Sequence, residues 1–160
     1  LTEDKYKGSY EQIGRVIRAY SANPGNDAIT FFEVVLFSFL TGNSDMHLKN
    51  FSLISSDGNA YQLTDAYDLI SSKLLLPEDI EEMALSINAR KNKIALRDFD
   101  ALAASLKIPV KVKEALYNRF SNIWPGWENL MDRSFLPDEL LKEYKSLILG
   151  KWKKIGFIEK

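Results

Sequence analysis

The chain has 160 residues, 46% of them apolar, which is enough to bury one substantial core and fits a single globular domain. Its 21 basic and 22 acidic residues leave a net charge of −1, so no overall field draws it to nucleic acid or to an anionic membrane. The absence of cysteine excludes disulfide frameworks, thiolate zinc sites and cysteine nucleophiles, and favours a reducing, cytoplasmic setting.

The longest apolar run, 34–40, is far shorter than the roughly 20 residues a membrane-spanning helix needs, so no membrane partner is expected. The chain opens at Leu1 with no basic leader before an apolar stretch, and on that ground it reads as a piece of something longer.

Ile13, Val16, Ile17 and Tyr20 recur at helical spacing, predicting a helix over 10–20 that Asn23-Pro24-Gly25-Asn26 interrupts. Residues 29–40 are apolar almost all round, as in a helix buried at the centre of a domain, with Asp27 as its expected cap. Gly42 ends that helix, 43–50 is a polar loop, and 51–54 alternates like a short strand. Asp57-Gly58 signals a hairpin turn, and 60–63 is the returning strand. A further strand is expected over 83–87. Helices follow over about 97–106, 110–123, 126–133 and 138–154, separated by Pro109, Pro125-Gly126 and Pro137. The fold class is therefore mainly α with a small antiparallel β hairpin, an α+β arrangement.

Chemistry is concentrated in Gly42-Asn43-Ser44-Asp45-Met46-His47-Leu48-Lys49-Asn50, which sets a carboxylate, an imidazole, an ammonium and amides between a buried helix and a strand. Asp45 and Asn50 have the Asp-x-x-x-x-Asn spacing of a protein-kinase catalytic loop, in which the Asp takes the substrate hydroxyl proton and the Asn holds magnesium. The hairpin then delivers Asp65 and Asp68, as a kinase delivers its second metal-binding carboxylate. Magnesium bridging phosphate oxygens requires oxygen ligands, which suits Asn50 and Asp68; Asp45 suits the orienting role. His47 and Lys49 can reach a phosphate oxygen, although a lone histidine equally serves to bond its own loop. Asp65 has the position of a turn residue at a strand exit.

The run from Gly42 to Leu53, with Leu63-Thr64-Asp65-Ala66-Tyr67-Asp68-Leu69-Ile70-Ser71 after it, resembles the HipA toxins of bacterial toxin–antitoxin systems. Met83-Ala84-Leu85-Ser86-Ile87-Asn88, Phe99 and the helical tail are similar to the HipA C-terminal region, so the resemblance spans most of the chain. It implies the C-terminal lobe of a protein-kinase-like fold, one domain over 1–160, binding ATP and Mg2+. It implies Asp45 as catalytic base, His47, Leu48, Lys49 and Asn50 as the ATP-contacting loop, and Tyr67-Asp68 as the metal-binding motif, with Asn50 and Asp68 on the metal. Asp68 is preferred to Asp65 on this ground. The implied activity is that of a serine/threonine protein kinase; the founding type acts on an aminoacyl-tRNA synthetase, glutamyl-tRNA synthetase, and some members phosphorylate themselves. Implied partners are a protein substrate, a HipB-like antitoxin, DNA only through that antitoxin, and an N-terminal lobe.

The departure from the family is in that lobe. Its phosphate-covering loop, its ATP-binding lysine and the autophosphorylated serine loop have no counterpart here, and the eight glycines are scattered singly. Weak or no activity is expected of the chain alone. The rival reading is a non-catalytic module that binds an antitoxin or another transcriptional regulator. Trp124, Trp127, Trp152, Phe120, Phe135 and Tyr144 are expected in the core. Arg90-Lys91-Asn92-Lys93 and Lys151-Trp152-Lys153-Lys154 are expected as solvated faces, the first a candidate to meet DNA in a repressor complex.

Overall fold

Apolar side chains on every side of one long helix require neighbours on every side, and the rest of the fold supplies them. The computed structural model describes residues 3–55 and 57–158; Leu1, and Ser56 within the hairpin, lie outside the described residues. A 3-10 turn at Glu3–Tyr6 leads into α1 (Tyr10–Tyr20), whose Ser9 cap accepts from the Gln12 amide while the Gln12 side chain accepts from the Ser9 amide. Next come α2 (Pro24–Thr41), a 3-10 turn (Leu48–Asn50), β1 (Leu53–Ile54), β2 (Gln62–Leu63) and α3 (Ser72–Leu75). The rest is helical: α4 (Leu96–Ser105), α5 (Val110–Asn122), α6 (Trp124–Asp132) and α7 (Asp138–Lys154). The strands pair antiparallel, Leu53 opposite Leu63 and Ile54 opposite Gln62. The mainly helical fold with one antiparallel hairpin is as expected.

Helix α2 is the axis of the core. Phe31, Phe32, Val35, Leu36, Phe39 and Leu40 are fully buried, against α1, α4, α7 and the hairpin. Phe32 and Phe39 both meet Phe99 of α4 edge-on, and Phe31 meets Phe51 beside the hairpin at 5.0 Å between centroids.

Four expectations need correction. Helix α2 starts earlier than 29, because Pro24 has the fixed φ that suits a first helical position; Asn23, not Asp27, is its N-cap. Asp27 is used otherwise: its Oδ2 accepts from the Ser21 hydroxyl at 2.6 Å and from the Leu63 amide at 2.7 Å, tying the returning strand to the helix start. Residues 83–87 form no ladder strand. Met83, Ala84, Leu85 and Ile87 are buried, but the segment makes only isolated bridges, Ser86 to Ser9 and Ile87 to Arg90. Phe135, between α6 and α7, is fully exposed, whereas Trp152 and Phe120 are buried and Trp124, Trp127 and Tyr144 pack against the core.

The last correction concerns the basic groups. Lys151 and Lys154 converge on Glu82, each at 2.7 Å from its Oε1, and the Ile94 amide donates to Oε2 at 2.9 Å. In the first group, Lys91 pairs with Glu81 at 3.2 Å while Arg90 and Lys93 are exposed. Partial burial pushes the Glu82 carboxyl upward, but the two ammoniums and the amide outweigh it and hold it down to about 2, from an ordinary 4.5. A carboxyl depressed on folding stabilises above its unfolded pKa and loses that contribution as pH falls through the folded one. Glu82→Gln is therefore expected to lower stability at pH 7 by about 1–3 kcal/mol, leaving Lys151 without its counter-charge. The gap between the two proteins in denaturant unfolding should be constant above about pH 4.5 and close towards pH 2.

Candidate active site

The polar loop begins where α2 must stop. Gly42 takes the left-handed conformation at φ 75°, and a Cβ there would lie 2.6 Å from Leu147 Cδ2, so both backbone and space call for glycine. The Gly42 and Asn43 amides return to the last carbonyls of α2, Asn43 to Ser38 at 2.8 Å. Asn43 is buried, and its amide works in two directions. Its Oδ1 accepts from the Asp45 backbone at 3.1 Å and its Nδ2 donates to the Asp68 carbonyl at 3.1 Å. From the core side, the buried Tyr10 hydroxyl donates to the Met46 carbonyl at 2.9 Å.

The side chains of Asn50 and Asp68, the two residues expected on the metal, meet directly. Asn50 Nδ2 donates to Asp68 Oδ2 at 2.6 Å, across 18 residues and the whole hairpin. Asn50 Oδ1 accepts from the His47 backbone at 3.0 Å, which fixes the amide's orientation. Asp68 sits at φ +58°, a left-handed geometry that aspartate and asparagine tolerate better than most side chains. Tyr67 braces the same segment, its hydroxyl donating to the Lys49 carbonyl at 2.8 Å and lying 2.9 Å from Ser52 Oγ.

His47 is buried with Nδ1 unpartnered, Leu48 turns its side chain into the core, and Lys49 is exposed. Asp65 is exposed at the hairpin exit. Among the described residues no group of three or more His, Cys, Asp or Glu could hold a metal. The oxygens on offer are the Asn50 carbonyl, which keeps a second lone pair, and the Asp68 carboxylate. Such a two-ligand set fits magnesium, which keeps most of its shell as waters and substrate phosphates.

Sequence reasoning missed the first turn. Tyr6 donates to Asp45 Oδ1 at 2.7 Å, and its ring stands edge-on to His47 at 5.5 Å between centroids. The Lys5 ammonium lies 4.7 Å from the centre of the Tyr6 ring; bonding to that side chain raises its pKa against the opposing effect of desolvation, helped by the Asp45 and Asp68 carboxylates. No local pattern marks residues that act across 39 positions. Asp45 lines a cavity of about 510 Å³ whose other walls include Tyr6, the charged Asp79, Glu81 and Lys91, and the apolar Ile70, Leu75 and Leu76. A larger one of about 770 Å³, between α3 and α7, touches none of the predicted site residues.

The family model described as the HipA-like C-terminal domain matches residues 1–127. The chain belongs to that family. Among curated relatives of this HipA-like domain, "Putative kinase Y4dM" of Sinorhizobium fredii is 35% identical over 131 residues, covering 76% of this chain and 31% of that protein. A "Putative kinase" of Haemophilus influenzae is 35% identical over 63 residues, covering 39% of this chain and 18% of that protein. The HipA-like chain thus spans less than a third of the length of these relatives. A solved complex of Shewanella oneidensis HipA and HipB with operator DNA contains a chain that superposes with a TM-score of 0.77 at 21% identity, covering 92% of this chain and 36% of that one. That likeness establishes the fold, the kinase-like one that the family resemblance implies.

Proposed function

We propose that this HipA-like domain is the catalytic and magnesium-binding half of a serine/threonine protein kinase that transfers the γ-phosphate of ATP to a protein hydroxyl. The lobe that covers the nucleotide would then lie in the length of the relatives that this chain does not span. The observation that carries the reading is the 2.6 Å contact between Asn50 and Asp68, residues whose types and order are those of a kinase metal pair. In this reading magnesium, when bound, neutralises charge on the phosphates. Asn50 and Asp68 hold it through oxygen, Asp45 orients the acceptor hydroxyl and takes its proton, and exposed Lys49 offers charge to a phosphate oxygen. The acceptor would enter through the cavity beside Asp45, whose Ile70, Leu75 and Leu76 wall suits an apolar neighbour of the acceptor residue.

The toxin role belongs to the same proposal. The Shewanella complex contains HipB and operator DNA, which supports a HipB-like antitoxin as partner and DNA contact through it. A cytoplasmic setting follows from that role; among the described residues no helix is long and apolar enough to cross a membrane.

The test is phosphate transfer from labelled ATP by the chain expressed in one polypeptide with the segment encoded upstream. Transfer to serine or threonine, abolished by chelating magnesium, is the expected result. A folded two-lobed protein that binds an antitoxin but transfers nothing, to itself or to lysate proteins, would favour the binding-module reading.

A further inference from the structure

A carboxylate that must orient an incoming hydroxyl works best when one of its oxygens is already fixed, because a freely turning carboxylate spends much of its time misaligned. Asp45 is half-buried, and its backbone is fixed by Asn43, but its side chain sits at the end of a χ1–χ2 pair facing an open cavity. The Tyr6 hydroxyl donates to Oδ1 at 2.7 Å, short and charge-assisted. Tyr6 in turn meets the His47 ring edge-to-face and has the Lys5 ammonium over its own ring. Its turn, Glu3–Tyr6, has no buried residue, so this contact is not a by-product of core packing.

We propose that Tyr6 is a positioning residue for the phosphoryl transfer: its hydroxyl clamps Oδ1 of Asp45 and leaves Oδ2 for the acceptor hydroxyl. The inference rests on the reading of Asp45 as the orienting base. In the transfer, the acceptor oxygen forms a bond to the γ-phosphorus, the bond from that phosphorus to the ADP oxygen breaks, and the acceptor proton passes to Asp45. Tyr6 keeps its own proton throughout. The Lys5 ammonium, 4.7 Å from the centre of the Tyr6 ring, takes no part in the transfer.

The experiment is Tyr6→Phe, which removes the hydroxyl and keeps the ring against His47, read in two ways. In the two-lobed protein kcat should fall about tenfold, the scale of one lost hydrogen bond to a charged group, while KM for ATP stays within twofold. In an Asp45→Ala background the same change should cost nothing further, because Tyr6 acts only through Asp45. In the 160-residue chain, carbon-13 relaxation and chemical shift of the Asp45 carboxylate should report greater mobility, with the unfolding midpoint unchanged. An unaltered or raised kcat, or equal costs with and without Asp45, would overturn the role. If the two-lobed protein transfers no phosphate, the relaxation measurement decides separately. A loosened Asp45 would keep the clamp and sink only the kinase reading, and an undisturbed one would sink the clamp.

Discussion

Asp45→Ala in the two-lobed protein is expected to lower phosphate transfer by about 10²–10⁴-fold, the usual contribution of a positioned general base. The fold should not suffer. The Asp45 side chain is outside the core and its hydrogen-bond partner, Tyr6, is solvent-accessible, so the hydroxyl freed by the change finds water. Thermal unfolding of the 160-residue chain should shift by no more than a surface substitution does. Binding of magnesium and nucleotide should persist, since Asn50 and Asp68 are untouched. Loss of transfer with intact nucleotide binding marks Asp45 as the base; retained transfer would remove it from that role.

The second large effect is expected from Asp68→Asn. Asparagine tolerates the left-handed backbone at φ +58°, and its carbonyl oxygen can still accept from Asn50 Nδ2, so geometry is kept and charge alone is removed. Transfer should fall about 10²–10³-fold, as when one preorganised electrostatic partner is lost, and saturation should need more magnesium. Asp68→Ala adds a different penalty: a side chain with no local bond in a left-handed conformation costs about 1–2 kcal/mol and leaves Asn50 Nδ2 without its acceptor. Comparing the unfolding midpoints of the two variants separates charge from backbone. Equal midpoints, or an Asp68→Asn protein of undiminished activity, would count against this account.

How much of this could be read beforehand depended on the range over which residues act. The ends of α1 and α7, the stop at Gly42 and the hairpin come from neighbours within a few positions: periodicity, a left-handed glycine, a turn dipeptide. That the hairpin returns a carboxylate towards Asn50 was also legible, because a hairpin is a local structure that brings its own ends together, but the choice of Asp68 over Asp65 came from the family resemblance. Two features were not legible. Asp27 looks like a cap in sequence and serves as a tie to Leu63, 36 residues away; Tyr6 reaches Asp45 across 39. Contacts set by tertiary packing leave no period or spacing in the chain. The segment 83–87 misled for a related reason. Its buried apolar residues look like a strand, but they make only isolated bridges and no ladder.

The hairpin that carries Asp68 has only two paired residues in each strand, too little to persist in water by its own ladder. It is held as well by Leu53 and Leu63 packed on the core, and by the Asp27 carboxylate on the Leu63 amide and the Ala22 amide on the Tyr61 carbonyl, both at the corner between α1 and α2. The segment that carries Asp68 is thus anchored twice, to that corner through Leu63 and to Asn43 and Asn50 beyond α2. Amide exchange at Leu63 would time how often the tie at the corner releases, separately from the contacts that hold Asp68 to Asn43 and Asn50.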